Sequence, residues 1–166
     1  YGDWSSDVCS SDLYNVAAKD GSVFGLIARN MPLLGILGNN ASVRFEPDKF
    51  TWLGSSSDFS GDAYVLIVRK GGPARTVHDA IRPNGPTLLL GGTAQGGGSS
   101  DVPRILQDTL GLRAQMITGY RDSAAIYLAM ESGEVAGRMN ELSSIKASKP
   151  GWLAPDSLFE VLLQYA

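Results

Sequence analysis

The spacing of apolar and polar positions divides the chain into short strands and short amphipathic helices. Tyr64–Val68, YVLIV, is apolar throughout and predicts a strand buried on both faces. Thr87–Leu90, Ala114–Ile117, Val135–Met139 and Phe159–Leu163 read as further strands. Helical spacing falls between them. Thr76–Ile81 opens on a capping box, with Thr76 as N-cap and Asp79 three residues on. Ile105, Leu106, Thr109 and Leu110 share one face of a helix that Ser100 or Asp101 would cap. Its first turn tolerates Pro103, and Gly111 ends it. Ile126, Tyr127 and Met130 stripe a helix that begins at Asp122 or Ser123 and stops at Gly133. Ser143–Ala147 is a last helix, and turns are expected at 83–86 and 149–151. Strands alternating with helices predict an α/β fold with a mainly parallel sheet.

Nearer the N-terminus the pattern weakens. Val16–Asp20 reads as the end of a helix, with Gly21 after it. Val23–Ala28 predicts a short buried strand, Asn30–Asn40 a loop with a helical turn, and Phe50–Leu53 the start of another strand. Asn39-Asn40 and Pro47-Asp48 mark turns. The polar run 55–62, SSSDFSGD, suits a crossing point between domains.

Composition changes this picture at one place. Asp3–Leu13, DWSSDVCSSDL, matches the translation of a sequencing-library adapter, so 1–13 is read as a scar and set aside. Leaving out Asp3, Asp7 and Asp12 brings the formal net charge from −3 to zero. A neutral chain offers no electrostatic case for binding nucleic acid or an anionic membrane. The one cysteine, Cys9, lies in the same stretch, which leaves no thiolate chemistry or Cys-ligated zinc for the rest. No apolar run approaches the ~20 residues of a membrane span.

Enzyme signatures fail on spacing. The chain has no G-x-x-x-x-G-K-[ST]. Glycines 91, 92, 96, 97 and 98 do not form G-x-G-x-x-G, and no acidic ribose contact follows about 20 residues on. Gly97-Gly98-Ser99-Ser100-Asp101 lacks the final glycine of a nucleophile elbow. His78 is the only histidine, and it falls inside a helix. No metal-ligand cluster is visible, so neither cofactor nor metal is expected.

Two loops remain, Gly91–Ser100 and Gly119–Ser123. Each follows a strand and opens a helix, and in an open parallel sheet such loops lie together at the strands' carboxyl ends, where ligands bind. Thr93, Gln95, Ser99 and Ser100 are candidate donors to a carboxylate, with the backbone N–H groups of the helix start. Tyr120 would wall the pocket, and Arg121 or Arg138 would be a counter-charge.

Gly119-Tyr120, Leu128-Ala129-Met130 and Gly133-Glu134-Val135-Ala136-Gly137 resemble features of the substrate-binding receptors of tripartite tricarboxylate transporters, the Bug-type solute receptors. Asp20-Gly21, Pro150-Gly151-Trp152-Leu153 and Val161-Leu162-Leu163-Gln164 extend the resemblance over 14–166. Asp122 stands where that family usually has Gly, and Ala136 where it often has an acid. The resemblance implies a two-lobe, type II periplasmic binding protein of which this chain is a fragment. On that reading 14–60 belongs to the first lobe, 61–150 is the second lobe, and 151–166 returns toward the hinge. The family's first glycine-rich loop would lie upstream of Tyr14. The implied activity is non-catalytic capture of a small organic acid for membrane transporter subunits, in the periplasm. Thr93, Ala94, Gln95, Gly96, Ser99 and Ser100 would be the second lobe's share of the site, with Tyr120 and Arg121 nearby and Asn30 on the first lobe's rim. Asn140 would lie near the hinge. The ligand-sensing domain of a transcription regulator is the alternative, which would require an upstream helix-turn-helix segment. An α/β transferase is a third reading, disfavoured because Thr118 and Gly119 stand where an acid would be needed.

Overall fold

The computed structural model describes residues 6–27, 32, 43–54, 62–93 and 97–165. The chain forms two compact units, Tyr1–Gly54 with Ala94–Gly97, and Ser55–Thr93 with Gly98–Ala166.

The second unit is a five-stranded mixed sheet with helices on both faces. Its elements are β1 (Tyr64–Arg69), α2 (Val77–Ile81), β2 (Leu88–Gly91), α3 (Gly98–Leu110), β3 (Ala114–Ile117), α4 (Ser123–Ser132), β4 (Gly137–Glu141), α5 (Leu142–Ser148) and β5 (Phe159–Tyr165). The spatial order is β3-β2-β4-β1-β5. β2 runs parallel to β3 and to β4, whereas β1 is antiparallel to β4 and β5. The expectation of a mainly parallel sheet therefore holds for one half only. The sequence alternation misleads at β1, which alone runs against the other four strands and lies between β4 and β5.

β1 shows why an unbroken apolar run forms a central strand. Tyr64, Leu66 and Val68 face one cluster, with Ala80, Leu88, Leu90, Val102, Leu106 and Met139. Val65 and Ile67 face the other, with Ile126, Tyr127, Met130, Ile145, Trp152 and Phe159. α2 and α3 thus cover one face, and α4 and α5 cover the other. Helix ends follow their chemistry. Thr76 and Asp79 form the full capping box, and Gly133 takes the left-handed conformation (φ 83°) that ends α4. Two boundaries move. α3 starts at Gly98, ahead of the expected caps Ser100 and Asp101, so both lie in its first turn. β4 starts at Gly137, two residues later than expected, because 133–136 turn the chain after α4.

The first unit contains α1 (Ser6–Asn15) and a 3-10 turn at Pro47–Lys49. α1 ends five residues before the expected helix end at Asp20, where Asp20 instead accepts from Ser22 in a local turn. The strands expected at Val23–Ala28 and Phe50–Leu53 do not form over the described residues 23–27 and 50–53. Phe24, Leu26 and Leu53 are all more than four-fifths exposed. A strand needs a hydrogen-bonding neighbour, and the described residues of this unit include none. Phe50 instead packs against both Phe45 and Trp52 with tilted rings, the centroids 5.8 and 5.6 Å apart. The expected loop 30–40 lies outside the described residues, apart from Pro32 in a helical turn. Among the described residues no helix is long and apolar enough to cross a membrane.

Candidate functional site

β3, β2 and β4 are parallel, so their carboxyl ends share one edge of the sheet. The chain leaving β2 and the chain leaving β3 are laced together at that edge. The Gly92 N–H donates to the Ile117 carbonyl (2.9 Å), and the Gly119 N–H donates to the Thr93 carbonyl (3.2 Å). Strand pairing thereby continues past the last strand residues and sets Thr93 beside Gly119. Gly119 has φ +101°, a conformation that disfavours any side chain. Gly92 is needed for a different reason. A Cβ there would lie 2.6 Å from Ser100 Oγ and 2.9 Å from Met116 Cε, so α3 can approach β2 only over a bare backbone.

That approach fixes the serines. Ser99 and Ser100 sit in the first turn of α3 with 9% and 2% of their surface exposed. Ser100 Oγ is buried against Gly92, without a hydrogen-bond partner among the described residues. The N–H groups of Gly98, Ser99 and Ser100 belong to the turn in which helical N–H groups lack an intrahelical acceptor. The start of α3 thus presents the positive end of the helix dipole next to two small hydroxyls, with Asp101 as the acid of the same turn.

The start of α4 is different. Asp122 caps it by accepting from the Ala125 N–H (2.9 Å). That hydrogen bond, and then Arg121, holds the Asp122 carboxyl below the usual carboxylate range. This helix start has its anion at the N-cap itself. Arg121 Nε lies 3.1 Å from Asp122 Oδ2, and its side chain is 78% exposed. Tyr120 donates to Glu134 Oε1 (2.5 Å). Burial, and then Glu134, pushes the phenol up to about 12. The aromatic wall and the counter-charge expected of this loop are therefore tied to carboxylates of the chain itself.

Of the expected site residues, the structure brings Thr93, Ser99 and Ser100 to one side of the shared edge and Tyr120 and Arg121 to the neighbouring loop. Ala94, Gln95, Gly96 and Asn30 lie outside the described residues. Two contributors escaped the sequence reading. Glu134 lies fourteen residues beyond Tyr120, across a helix, and no local spacing could pair them. Met116 reaches Gly92 only because β2 and β3 are in register. Among the described residues, no group of three or more His, Cys, Asp or Glu side chains could hold a metal ion. The hollow between Leu66, Ile81, Leu106 and Leu162 has apolar walls and about 10 Å³ of room, which is the size of one water.

No protein-family model and no curated protein sequence matches the chain. In fold it is similar to parts of solved solute-binding proteins. One is a TctC solute-binding protein from Polaromonas without ligand (17% identity, 61% of this chain and 33% of that one, TM-score 0.48). Another is an ABC-transporter periplasmic binding protein from Brucella ovis with glutathione bound (10% identity, 62% and 32%, TM-score 0.46). A third is an ancestral arginine-binding protein bound to arginine (13% identity, 63% and 42%, TM-score 0.40). The chain thus spans about a third of the length of the first two.

Proposed function

We propose that this chain is the ligand-holding lobe of an extracytoplasmic solute-binding receptor that captures a small carboxylate for a tripartite tricarboxylate-type membrane transporter. The observation that carries this reading is the laced pair of loops at the carboxyl edge of β2 and β3, with the serine-bearing start of α3 beside them. The charged groups on the neighbouring loop support binding over catalysis. Tyr120 is spent on Glu134 and Arg121 on Asp122, so neither is poised to move a proton or attack a substrate. A carboxylate at the α3 start would be held by backbone N–H groups and serine hydroxyls, which are charge-assisted donors once the acceptor is ionised. The transporter and the export that goes with it rest on the resemblance of 119–137 to Bug-type receptors.

The test is titration calorimetry of the chain with citrate and with smaller dicarboxylates, alongside Ser99→Ala/Ser100→Ala. The double variant is expected to bind roughly tenfold more weakly or worse. Among the described residues Ser100 Oγ has no partner, so its loss leaves none of them newly unpaired. A fall in affinity would then report on ligand contacts rather than on unfolding. Identical isotherms for the two proteins would remove the α3 start from the site.

A further inference from the structure

A second group of donors without acceptors lies on the other face of the sheet, under α4. Arg138 is 3% exposed, and its Nε and Nη1 are shut from solvent with no hydrogen-bond partner among the described residues. Its guanidinium carbon stands 5.2 Å from the centroid of the Tyr127 ring. Asn140, also 3% exposed, donates its Nδ2 to the Tyr127 hydroxyl (2.8 Å). Because that hydroxyl already accepts, its own O–H is left to donate, and the described residues give it no acceptor. A second cation flanks the same ring, Lys149 Nζ at 5.9 Å from the centroid. Lys149 is answered by Glu131 Oε1 at 2.7 Å, whereas among the described residues Glu141 acts on Arg138 only through its field and accepts from neither Nε nor Nη1. A cation over an aromatic face recovers only part of what burying a guanidinium with unpaired N–H groups costs. A buried polar group left unpaired in a folded protein calls for an acceptor that the fold itself does not supply.

We propose that Arg138, Tyr127 and Asn140 form a second anion site, which takes one small carboxylate-bearing solute between α4 and β4. The three side chains offer donors of the kind an ionised carboxylate satisfies, and a guanidinium is the side chain best matched to that group. The site is distinct from the α3 start. Strand alternation puts Arg138 and Asn140 opposite Met139, which packs with α3, and Ser100 lies on the α3 side. Occupancy here neutralises a buried charge, so the anion acts as a stabiliser of α4 packing independently of any solute held by the loops.

The probe is sodium acetate, compared with sodium chloride at equal ionic strength, on the whole chain. The Arg138 side-chain Nε–H signal in ¹⁵N-correlated spectra is expected to shift saturably with acetate and not with chloride. The melting midpoint is expected to rise by about 3 °C or more at saturation. Arg138→Met removes the unpaired charge while filling its volume, so it is expected to melt no lower than the parent without acetate and to lose the acetate response. The Arg138 signal in Ser99→Ala/Ser100→Ala is expected to respond as in the parent, which separates this site from the loop site. An Arg138 signal that ignores acetate, or an Arg138→Met protein that keeps the full acetate response, overturns the proposal. An equal response to chloride reduces the effect to ionic strength and overturns it as well.

Discussion

Gly92 and Gly137 are both bare for want of space, yet their surroundings differ in how far they can yield. A Cβ on Gly137 would meet the Ile67 carbonyl oxygen at 2.3 Å, which is backbone inside the β1–β4 ladder. A Cβ on Gly92 would meet Ser100 Oγ and the flexible end of Met116. Gly137→Ala is therefore expected to cost about 3 kcal/mol or more and Gly92→Ala about 1–2 kcal/mol, as read by urea denaturation. Adding Ser100→Ala should recover part of the Gly92→Ala loss, and a double-mutant cycle measures that coupling. Additive effects would mean that Ser100 does not lie under Gly92. Tyr120 supplies a pH test. Its phenol is pushed up to about 12 from the ordinary 10.0, first by burial and then by Glu134. A raised pKa means that the folded state holds the proton more tightly. The resulting stability is complete below pH 10 and fades as pH rises toward 12. Absorbance titration should show one tyrosine ionising late, and Glu134→Gln should bring it part of the way back. These residue-scale features were only half legible. The glycines announce a close approach, but what approaches them depends on register and on partners far along the chain.

At the scale of elements, local chemistry was the most readable signal. The capping box at Thr76 formed as its residues imply, with the Asp79 N–H donating to Thr76 Oγ1 at 3.1 Å and the Thr76 N–H donating to Asp79 Oδ2 at the same distance. Thr76→Ala is expected to lower stability by ~1 kcal/mol, seen as a lower urea midpoint at unchanged m-value. Thr76, and then the Arg75 backbone N–H, holds the Asp79 carboxyl below its ordinary range. The cap's contribution is therefore present above pH 3.8 and is lost as pH falls through the lower folded value. The caps at Asp122 and Gly133 were legible for the same reason, since the groups that make them are neighbours in sequence. The misread elements share the opposite property. Val23–Ala28 and Phe50–Leu53 carry strand-like composition, but composition cannot supply the second strand that hydrogen bonding requires. The sequence places the start of α3 too late because glycine is a poor helix former and serine a middling one, whereas tertiary packing against β2 decides where the helix begins.

For the sheet-bearing unit as a whole, topology determines where stability concentrates. β4 lies between β2 and β1, and β1 lies between β4 and β5, so both have neighbours on each side. β3 and β5 are edges. β1 is also buried on both faces, from Tyr64 to Val68. The sequence revealed the burial of β1 through its unbroken apolar run, but not its neighbours, because strand order is set by long-range pairing rather than by any local pattern. Amide exchange followed by mass spectrometry should accordingly be slowest in Tyr64–Arg69 and Gly137–Glu141 and faster in Ala114–Ile117 and Phe159–Tyr165. Leu66→Ala, at a fully buried position on β1, is expected to cost about 2–5 kcal/mol. If β1 and β4 open together, that variant should speed exchange in both strands by a similar factor. A rise confined to β1 would show that the antiparallel half can open while the parallel half, which carries the candidate site, stays closed. The loops at the carboxyl edge of β2 and β3 would then owe their geometry to the parallel strands alone.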